Sequence, residues 1–368
     1  MPAAPKRILI VDDSTVMRSL LRSVLLSARG FEVAGMAGDG ESALRLIEEL
    51  RPDLVLLDVE MPVMDGLATL RKLRGRGHKM PVIMCSALTQ RGGRVTIEAL
   101  AGGASDYVAK PQGQTSPIEA MQTLSRDLLP KLRALTAVSA APVLPPPLRM
   151  LQPAPRAEHG SSHPTLLVVG VSTGGPAALD ILLPALPATF SLPVLIVQHM
   201  PELFTRLLAE RLAQRCPLRV NEAAEGAPVL PGSIAIARGN WHLEVLPSSR
   251  PGQPPTLHLT QAPPENHCRP AVDVLFRTAT ASYGAGVLGV VLTGMGSDGL
   301  AGARLIRARG GTVLAQDRET SAIWGMPGAV AQAGLAQRIL PIGEIAPELI
   351  RLASRVSSDR DGLREVTA

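Results

Sequence analysis

Aromatic residues are nearly absent from this 368-residue sequence, which contains four Phe, two Tyr and two Trp. Hydrophobic residues nevertheless make up 46% of the chain, so the cores must be built from aliphatic side chains. Such a composition favours helices packed on buried parallel strands. Because the chain is too long for one ordinary core, we predict two or three domains.

Cysteine and long apolar runs are also scarce. The three cysteines, Cys85, Cys216 and Cys268, are odd in number and widely spaced. They therefore indicate free thiols in a reducing compartment and exclude a disulfide framework. No apolar run reaches the ~20 residues of a membrane-spanning helix, and the N-terminal MPAAPKRILIVDD becomes acidic too early for a signal peptide. We expect a cytoplasmic protein without a transmembrane segment.

The sequence also lacks the signature of a nucleic-acid-binding protein. Its net charge is +5, but the arginines are dispersed, and no recognition helix or finger motif accompanies them. We therefore expect no nucleic-acid partner. The basic residues are interpreted as a solvated surface or, alternatively, as a surface that attracts an acidic protein partner.

Short apolar runs alternate with helical patterns through the first third of the chain. The runs at 7–11, 53–57 and 81–85 are typical of buried parallel strands. Residues 15–28 carry an apolar stripe with helical spacing, and a last helix is expected near 117–134. This alternation predicts a doubly wound α/β domain of five parallel strands over residues 1–134.

The remainder of the chain divides into a linker, a second domain and a tail. Residues 135–164 are rich in proline and alanine and show no periodicity, which is typical of a semi-stiff linker. Strand and helix patterns resume over 165–356, where we predict an α/β domain with a mainly parallel sheet, interrupted at 218–262 by an irregular insert of short strands and turns. Residues 357–368 form a polar tail.

Polar residues follow the predicted strands of the first domain. Asp12 and Asp13 follow the first strand, Asp58 ends the third, and Ser86 and Lys110 follow the fourth and fifth. These ends share one edge of a parallel sheet, where such folds bind ligands. Three converging carboxylates favour Mg²⁺, beside which Asp58 can accept a phosphoryl group. Alternatively, Asp12 or Asp13 caps the next helix, although one cap accounts for only one acid.

These residues carry a resemblance to a known family. The segments ILIVDDS, DLVLLDVEMPVMDG and DYVAKP resemble a response-regulator receiver domain over about residues 1–130. The resemblance implies a flavodoxin-like fold and phosphorylation of Asp58 by a histidine-kinase phosphodonor, with Mg²⁺ held by Asp12, Asp13 and Asp58. Ser86 and Tyr107 occupy the positions of the family's switch residues, and Lys110 belongs to the same set. Alternatively, Tyr107 is an amphipathic side chain half-buried on a strand.

A glycine-flanked serine marks the start of the second domain. Neither a phosphate-binding GxxxxGK[ST] loop nor a GxGxxG dinucleotide fingerprint fits VVGVSTGGP, but GxSxG fits Gly170–Gly174. In that pattern a sharp strand-to-helix turn exposes the serine, here Ser172, as a nucleophile. The alternative is a structural strand-to-helix corner.

A nucleophilic serine requires a base and an acid that orients the base. His199 and Asp298 each follow an apolar strand, so both can lie at the same sheet edge as Ser172. Alternatively, His199 is a packing or capping histidine, and Asp298 caps the helix expected at 299–309. The order Ser, His, Asp differs from that of α/β-hydrolases.

Longer motifs carry a second resemblance. GVSTGGP, VQHMPELFTRLLAERL, CRPAVDVLF, LTGMGSDGL and AQDRETSAIWGMPGAV resemble the catalytic domain of chemotaxis protein-glutamate methylesterases, the CheB family, over about 165–355. The resemblance implies Ser172 as nucleophile, His199 as general base and Asp298 as orienting acid, with no cofactor for the esterase step. The backbone N–H groups of Thr173 and Met295 are candidates for an oxyanion hole.

The family resemblance also implies substrate and regulation. The substrates would be glutamyl methyl esters and glutamines of methyl-accepting chemotaxis receptors, and the unphosphorylated receiver would inhibit the catalytic domain. One departure concerns Cys268, which stands where the family often has histidine before Arg-Pro; Arg269 is either a substrate contact or a packing residue. The rival interpretation is a phosphorylation-switched adaptor whose second domain only binds.

Overall fold

The structure is a computed structural model that describes residues 4–87, 89–111, 116–136, 163–248 and 250–362. The chain divides into two compact units, Met1–Val143 and Leu144–Ala368. Most of the linker predicted at 135–164 lies outside the described residues, as do residues 363–368 of the predicted tail.

The N-terminal unit contains the predicted parallel sheet of five strands. The strands are β1 (Lys6–Val11), β2 (Phe31–Ala37), β3 (Leu54–Asp58), β4 (Val82–Ser86) and β5 (Asp106–Ala109). Their order, β2-β1-β3-β4-β5, makes the chain change direction between β1 and β3. This change opens a crevice at the carboxyl ends of the strands. The prediction of a doubly wound, flavodoxin-like fold is confirmed.

Helices cover both faces of this sheet, as expected for strands that are buried throughout. They are α1 (Thr15–Ser27), α2 (Gly40–Leu50), α3 (Gly66–Gly75), α4 (Gln90–Ala101) and α5 (Pro117–Leu135). Each begins after a Ser, Thr or Asp whose side chain accepts a hydrogen bond from the first turn. These caps fix where each helix starts, and therefore where the loops at the sheet edge end.

The C-terminal unit is built on a larger parallel sheet. Its strands are β6 (Leu166–Val171), β7 (Val194–Gln198), β8 (Arg219–Glu222), β9 (Ser233–Ile236), β10 (His242–Leu246), β11 (Thr256–Thr260), β12 (Val287–Val291), β13 (Thr312–Gln316) and β14 (Arg338–Leu340). Seven of them form the parallel sheet β14-β13-β12-β6-β7-β9-β8, while β10 and β11 form a separate antiparallel pair. The short strands expected at 218–262 are present, but the expectation that they interrupt the sheet is wrong for β8 and β9, which extend it.

Glycines bring the helices of this unit close to its sheet. The helices are α6 (Gly175–Leu182), α7 (Glu202–Ala213), α8 (Val272–Tyr283), α9 (Leu300–Ala308), α10 (Met326–Gln332) and α11 (Ile342–Gly362). A Cβ atom at Gly170 would lie 2.3 Å from Val272 Cγ1, and one at Gly302 would lie 2.3 Å from Phe276 Cβ. The absence of these atoms lets the start of α8 pack against the end of β6 and against α9. Within the described residues, every helix is too short or too polar to span a bilayer.

Candidate functional site

Three carboxylates and one lysine of the N-terminal unit meet at the carboxyl ends of its strands. One side-chain oxygen from each of Asp12, Asp13 and Asp58 lies within 4.8 Å of the others. The ammonium of Lys110, which follows β5, lies 2.8 Å from Asp12 Oδ2 and 2.7 Å from Asp58 Oδ2. The sheet therefore gathers four of the residues that were expected to act together.

The electrostatics of this cluster favour a bound cation. Burial raises the pKa of Asp58 to about 6, and the charge of Asp12 adds to this rise while Lys110 opposes it. Burial lowers the pKa of Lys110, but its hydrogen bonds to Asp12 and Asp58 outweigh that effect and raise it. A set of carboxylate oxygens that Lys110 only partly compensates fits Mg²⁺.

The alternative that Asp12 or Asp13 caps α1 is wrong. The cap is Ser14, whose hydroxyl accepts from Met17 N. Asp12 uses Oδ1 to accept from Ser14 N at 3.0 Å, which leaves its other oxygen on Lys110. Neither Asp12 nor Asp13 is therefore the cap of α1, and Asp12 faces Lys110 in the crevice.

Ser86 and Tyr107 occupy different surroundings in this unit. The buried Ser86 hydroxyl accepts from Thr96 Oγ1 at 2.8 Å and donates to Ala87 O at 3.2 Å. Tyr107 is 8% exposed, and Lys131 Nζ lies 4.7 Å from the centroid of its ring. The half-buried alternative for Tyr107 is therefore wrong for this conformation. The assignment of Ser86, Tyr107 and Lys110 as switch residues stays a prediction.

In the C-terminal unit, the turn that carries Ser172 is held from both neighbouring strands. On the β12 side, Ser172 N donates to Thr293 O at 3.0 Å, and Thr293 Oγ1 donates to Thr173 O at 2.9 Å. On the β7 side, Gln198 Nε2 donates to Ser172 O at 2.9 Å. Gly174 adopts φ +80°, which a glycine accepts without strain. These bonds fix the backbone of the serine at the sheet edge.

His199 and Asp298 meet beside this turn. His199 Nε2 lies 2.8 Å from Asp298 Oδ2, although 99 residues separate them. The alternative that Asp298 caps α9 is wrong, because Gly299 is the N-cap and no side chain caps the helix there. Asp298 instead accepts from Val272 N at 2.7 Å and Asp273 N at 3.0 Å, at the start of α8. Among the described residues, no hydrogen bond joins the Ser172 hydroxyl to His199.

The pKa values of His199 and Asp298 are shifted in opposite directions, as in a base and its orienting acid. Burial raises the pKa of Asp298, but hydrogen bonds from His199 and from the start of α8 outweigh it and lower the pKa. Burial lowers the pKa of His199, but its bonds to Asp298 and to Cys268, whose Sγ lies 3.6 Å from Nδ1, raise it to about 9. Asp298 therefore carries the negative charge of the pair.

Met295 and Thr173 both lie next to Ser172. A Cβ atom at Gly294 would lie 2.8 Å from Ser172 Cβ, so the glycine lets the loop that contains Met295 run directly past the serine. Thr173 immediately follows the serine and is buried. The assignment of their backbone N–H groups to an oxyanion hole stays a prediction.

His242 and Arg269 form hydrogen bonds that connect loops near the candidate site. His242, on β10, donates from Nε2 to Pro263 O at 3.1 Å and accepts from Ala271 N at Nδ1. Arg269 donates to Asn240 Oδ1 and to the backbone oxygens of Gln261 and Ala262. Arg269 therefore ties two loops together, as the packing alternative expected.

Three residues that contact the site were not singled out from the sequence. Gln198 and Thr293 stand inside the quoted motifs VQHMP and LTGMG, and Asn266 directly precedes His267 and Cys268. Gln198 and Thr293 lie at the ends of the strands that lead to His199 and Asp298, and this position could have identified them from the sequence. Nothing in the local sequence pairs Asn266 with Asp298, to which its Nδ2 donates at 2.8 Å.

Both units match known families. Residues 8–122 match the family described as response regulator receiver domain, and residues 167–349 match CheB methylesterase. These ranges lie inside the predicted domains 1–134 and 165–356, whose exact boundaries stay predictions.

Curated relatives match nearly the whole chain. A protein-glutamate methylesterase/protein-glutamine glutaminase of Nocardioides sp. is 50% identical over 95% of this chain and 96% of its own length. One from Trichodesmium erythraeum is 45% identical over 94% of this chain and 98% of its own length. The crystal structure of the Thermotoga maritima CheB methylesterase catalytic domain is 41% identical, with a TM-score of 0.50 over 52% of this chain and 100% of that one. The chain therefore belongs to the protein-glutamate methylesterase/protein-glutamine glutaminase family, and it is a hydrolase in which a receiver domain precedes a CheB methylesterase domain.

Proposed function

We propose that this protein hydrolyses glutamyl methyl esters of chemotaxis receptors through Ser172, His199 and Asp298, and that phosphorylation of Asp58 activates it. The observation that carries this proposal is the 2.8 Å bond between His199 Nε2 and Asp298 Oδ2 beside the Ser172 turn. Because β12, β6 and β7 are adjacent in the sheet, the loops that bear the three residues open on one edge. That arrangement supports acyl transfer to a serine.

The reaction follows from the roles that these contacts allow. Since Nε2 of His199 holds Asp298, Nδ1, which contacts Cys268 Sγ at 3.6 Å, is the nitrogen that takes the Ser172 proton. The serine oxygen bonds to the ester carbonyl carbon, the bond to the methoxy group breaks, and His199 returns the proton to give methanol. Water then attacks the glutamyl-serine ester, and the carboxylic acid leaves as Ser172 regains its proton. With a glutamine side chain, ammonia leaves in the first step instead.

Negative charge develops on the carbonyl oxygen in both steps. The backbone N–H groups of Thr173 and Met295 are our proposed donors to it. The start of α6, whose Gly175 N donates to Ser172 O at 2.8 Å, adds a favourable helix dipole next to the nucleophile. The esterase step needs no cofactor in this scheme.

The receiver accepts the activating phosphoryl group on Asp58. An Asp58 oxygen forms a bond to phosphorus as the bond to the histidine of the kinase breaks, and Lys110 stands beside the same carboxylate at 2.7 Å. Asp12, Asp13 and Asp58 would hold Mg²⁺, which when bound compensates the charge of the carboxylates and the phosphoryl oxygens.

Replacing the nucleophile tests the catalytic assignment. We expect Ser172→Ala to lower methanol release from methylated receptor membranes by at least roughly 10⁴-fold, because the acyl-enzyme cannot form. The control is Ser233→Ala, since Ser233 donates only to Leu230 O on the surface. A Ser172→Ala protein with the wild-type rate would exclude Ser172 as the nucleophile. Loss of activity in the Ser233→Ala control would reveal damage unrelated to the site.

A further inference from the structure

Asp298 accepts more hydrogen bonds than an orienting acid needs for one histidine. Its Oδ2 receives His199 Nε2 and Val272 N, and its Oδ1 receives Asp273 N and Gly299 N. A fifth bond, 2.8 Å long, comes to Oδ1 from the Asn266 side chain. Of these donors, Asn266 is the only side chain besides the base itself.

A tight turn aims the Asn266 amide at Asp298. Glu265 and Cys268 exchange two backbone hydrogen bonds, of 3.1 and 2.9 Å. Between them, Asn266 and His267 adopt φ +54° and +63°, the pattern of a type I′ turn, in which asparagine is favoured. The same turn places Cys268 Sγ against His199 Nδ1. One short segment therefore contacts both the base and its acid.

An ion pair anchors this turn to α8. The two carboxylate oxygens of Glu265 lie 3.0 and 2.9 Å from two guanidinium nitrogens of Arg277. This bidentate geometry restrains orientation better than a single contact does. The ion pair thus connects the turn to α8, whose first N–H groups also bind Asp298.

The Asn266 amide bridges two buried carboxylates. Its Nδ2 donates one hydrogen to Asp298 Oδ1 and the other to Asp273 Oδ2, at 2.9 Å. Asp273 is 4% exposed, and its Oδ1 accepts from Gly302 N at 2.6 Å. Burial raises the pKa of Asp273, and the charge of Asp298 adds to that rise. Because like charges this close repel each other, a shared amide donor stabilises both.

We infer that Asn266 is a positioning residue of the esterase: by bridging Asp298 and Asp273, its amide holds the Asp298 carboxylate in the plane that His199 requires. This inference rests on the proposed function. The side-chain amide of Asn266 donates to Asp298 and Asp273, so it acts through Asp298. Its loss leaves Oδ1 with its backbone donors Asp273 N and Gly299 N, so the plane of the carboxylate is less restrained and the histidine loses its fixed acceptor.

The experiment measures how fast a fluorophosphonate probe labels Ser172 in the full-length chain, treated with acetyl phosphate and Mg²⁺. Labelling reports activation of the serine without any receptor. We compare wild type with Asn266→Gly, which keeps the left-handed backbone and deletes the amide, and with Asn266→Asp, which keeps the shape and replaces donors by acceptors. The matched control is Asn240→Gly, because Asn240 also adopts a positive φ, of +64°, and bonds Arg269 instead of the acid.

We expect Asn266→Gly to label about 10- to 100-fold more slowly, as for loss of a hydrogen bond to a charged group. The melting temperature should fall no further than that of the Asn240→Gly control, which labels at the wild-type rate. Asn266→Asp should label more slowly still, with the acid limb of its pH profile at higher pH, because added negative charge favours protonated His199. The charged and titratable groups around Asp298 are His199, Cys268, Asp273, Glu265 and Arg277.

Two outcomes would contradict us in different ways. If Asn266→Gly labels like wild type with an unchanged pH profile, Asn266 does not position the acid, while the esterase assignment stands. If the wild-type protein itself is not labelled on Ser172, the proposed nucleophile fails and the positioning role fails with it.

Discussion

Two opposed effects act on the pKa of the His199 imidazole. Burial disfavours the charged ring, whereas Asp298 on Nε2 and the Cys268 sulfur on Nδ1 favour it. The second influence is the stronger, so the pKa rises to about 9. A general base acts in its neutral form, and a raised pKa therefore restricts the reactive fraction at neutral pH.

The pH dependence of kcat/KM tests this balance. We expect the rate of ester hydrolysis to rise with pH through neutrality and to level off near the pKa of about 9, as His199 loses its proton. Cys268→Ala removes one partner that favours the protonated ring, so its acid limb should lie at lower pH. Cys268→Ser keeps a hydrogen-bonding group and should lie between the two. Superimposable profiles for all three proteins would show that Cys268 does not influence the base.

At the level of elements, α8 and α9 bind each other's carboxylates. Asp298, just before α9, accepts from the first N–H groups of α8, and Asp273, in the first turn of α8, accepts from Gly302 N of α9. Each acid thus occupies the positive end of the other helix. The exchange requires close helix packing, which Gly302 permits against Phe276.

Gly302→Ala should disrupt this packing. The added Cβ would lie 2.3 Å from Phe276 Cβ, and overpacking of this kind costs about 1–3 kcal/mol in the free energy of unfolding. The measurement is denaturant unfolding of the purified protein. The matched control is Gly343→Ala in α11, where a Cβ has nothing within 4 Å and alanine should stabilise the helix by up to about 1 kcal/mol. Equal stability of the two variants would mean that α8 can move away at little cost.

At the level of the whole molecule, the two candidate sites lie in two separate units. The cluster of Asp12, Asp13 and Asp58 belongs to Met1–Val143, and the candidate site around His199 and Asp298 belongs to Leu144–Ala368. Each site lies at the carboxyl edge of its own parallel sheet, as this class of fold arranges its ligands. Regulation of one by the other must therefore be measured on the intact chain.

Asp58→Asn separates activation from catalysis. We expect the variant to retain basal methanol release and to lose the stimulation that acetyl phosphate gives the wild type, because the amide cannot accept the phosphoryl group. Asp53→Asn is the control, since Asp53 precedes β3 at the opposite end of the strand and accepts from Arg7 N at 2.8 Å. Stimulation of Asp58→Asn equal to that of wild type would place the phosphoryl group elsewhere.

Much of this architecture could be predicted from short stretches of sequence. Apolar runs identified β1, β3 and β4 to within about two residues, because burial on both faces of a parallel sheet demands continuous apolar strands. The same reasoning put Asp58, Ser172 and His199 at strand ends. It did not assign β8 and β9 to the main sheet, because four-residue strands carry too little pattern to separate a strand of the sheet from a strand of an insert.

The sequence by itself determined which residue types stand at the carboxyl edges of the two sheets, since strand ends are set by local hydrophobic patterning. Only the tertiary structure decided how those residues are paired. In the structure, Nε2 of His199 bonds Asp298, and Asp298 accepts from the start of α8 instead of capping α9. The amide of Asn266 donates to both buried acids. These contacts link segments as far as 99 residues apart, and such pairings follow from helix packing that no local pattern encodes.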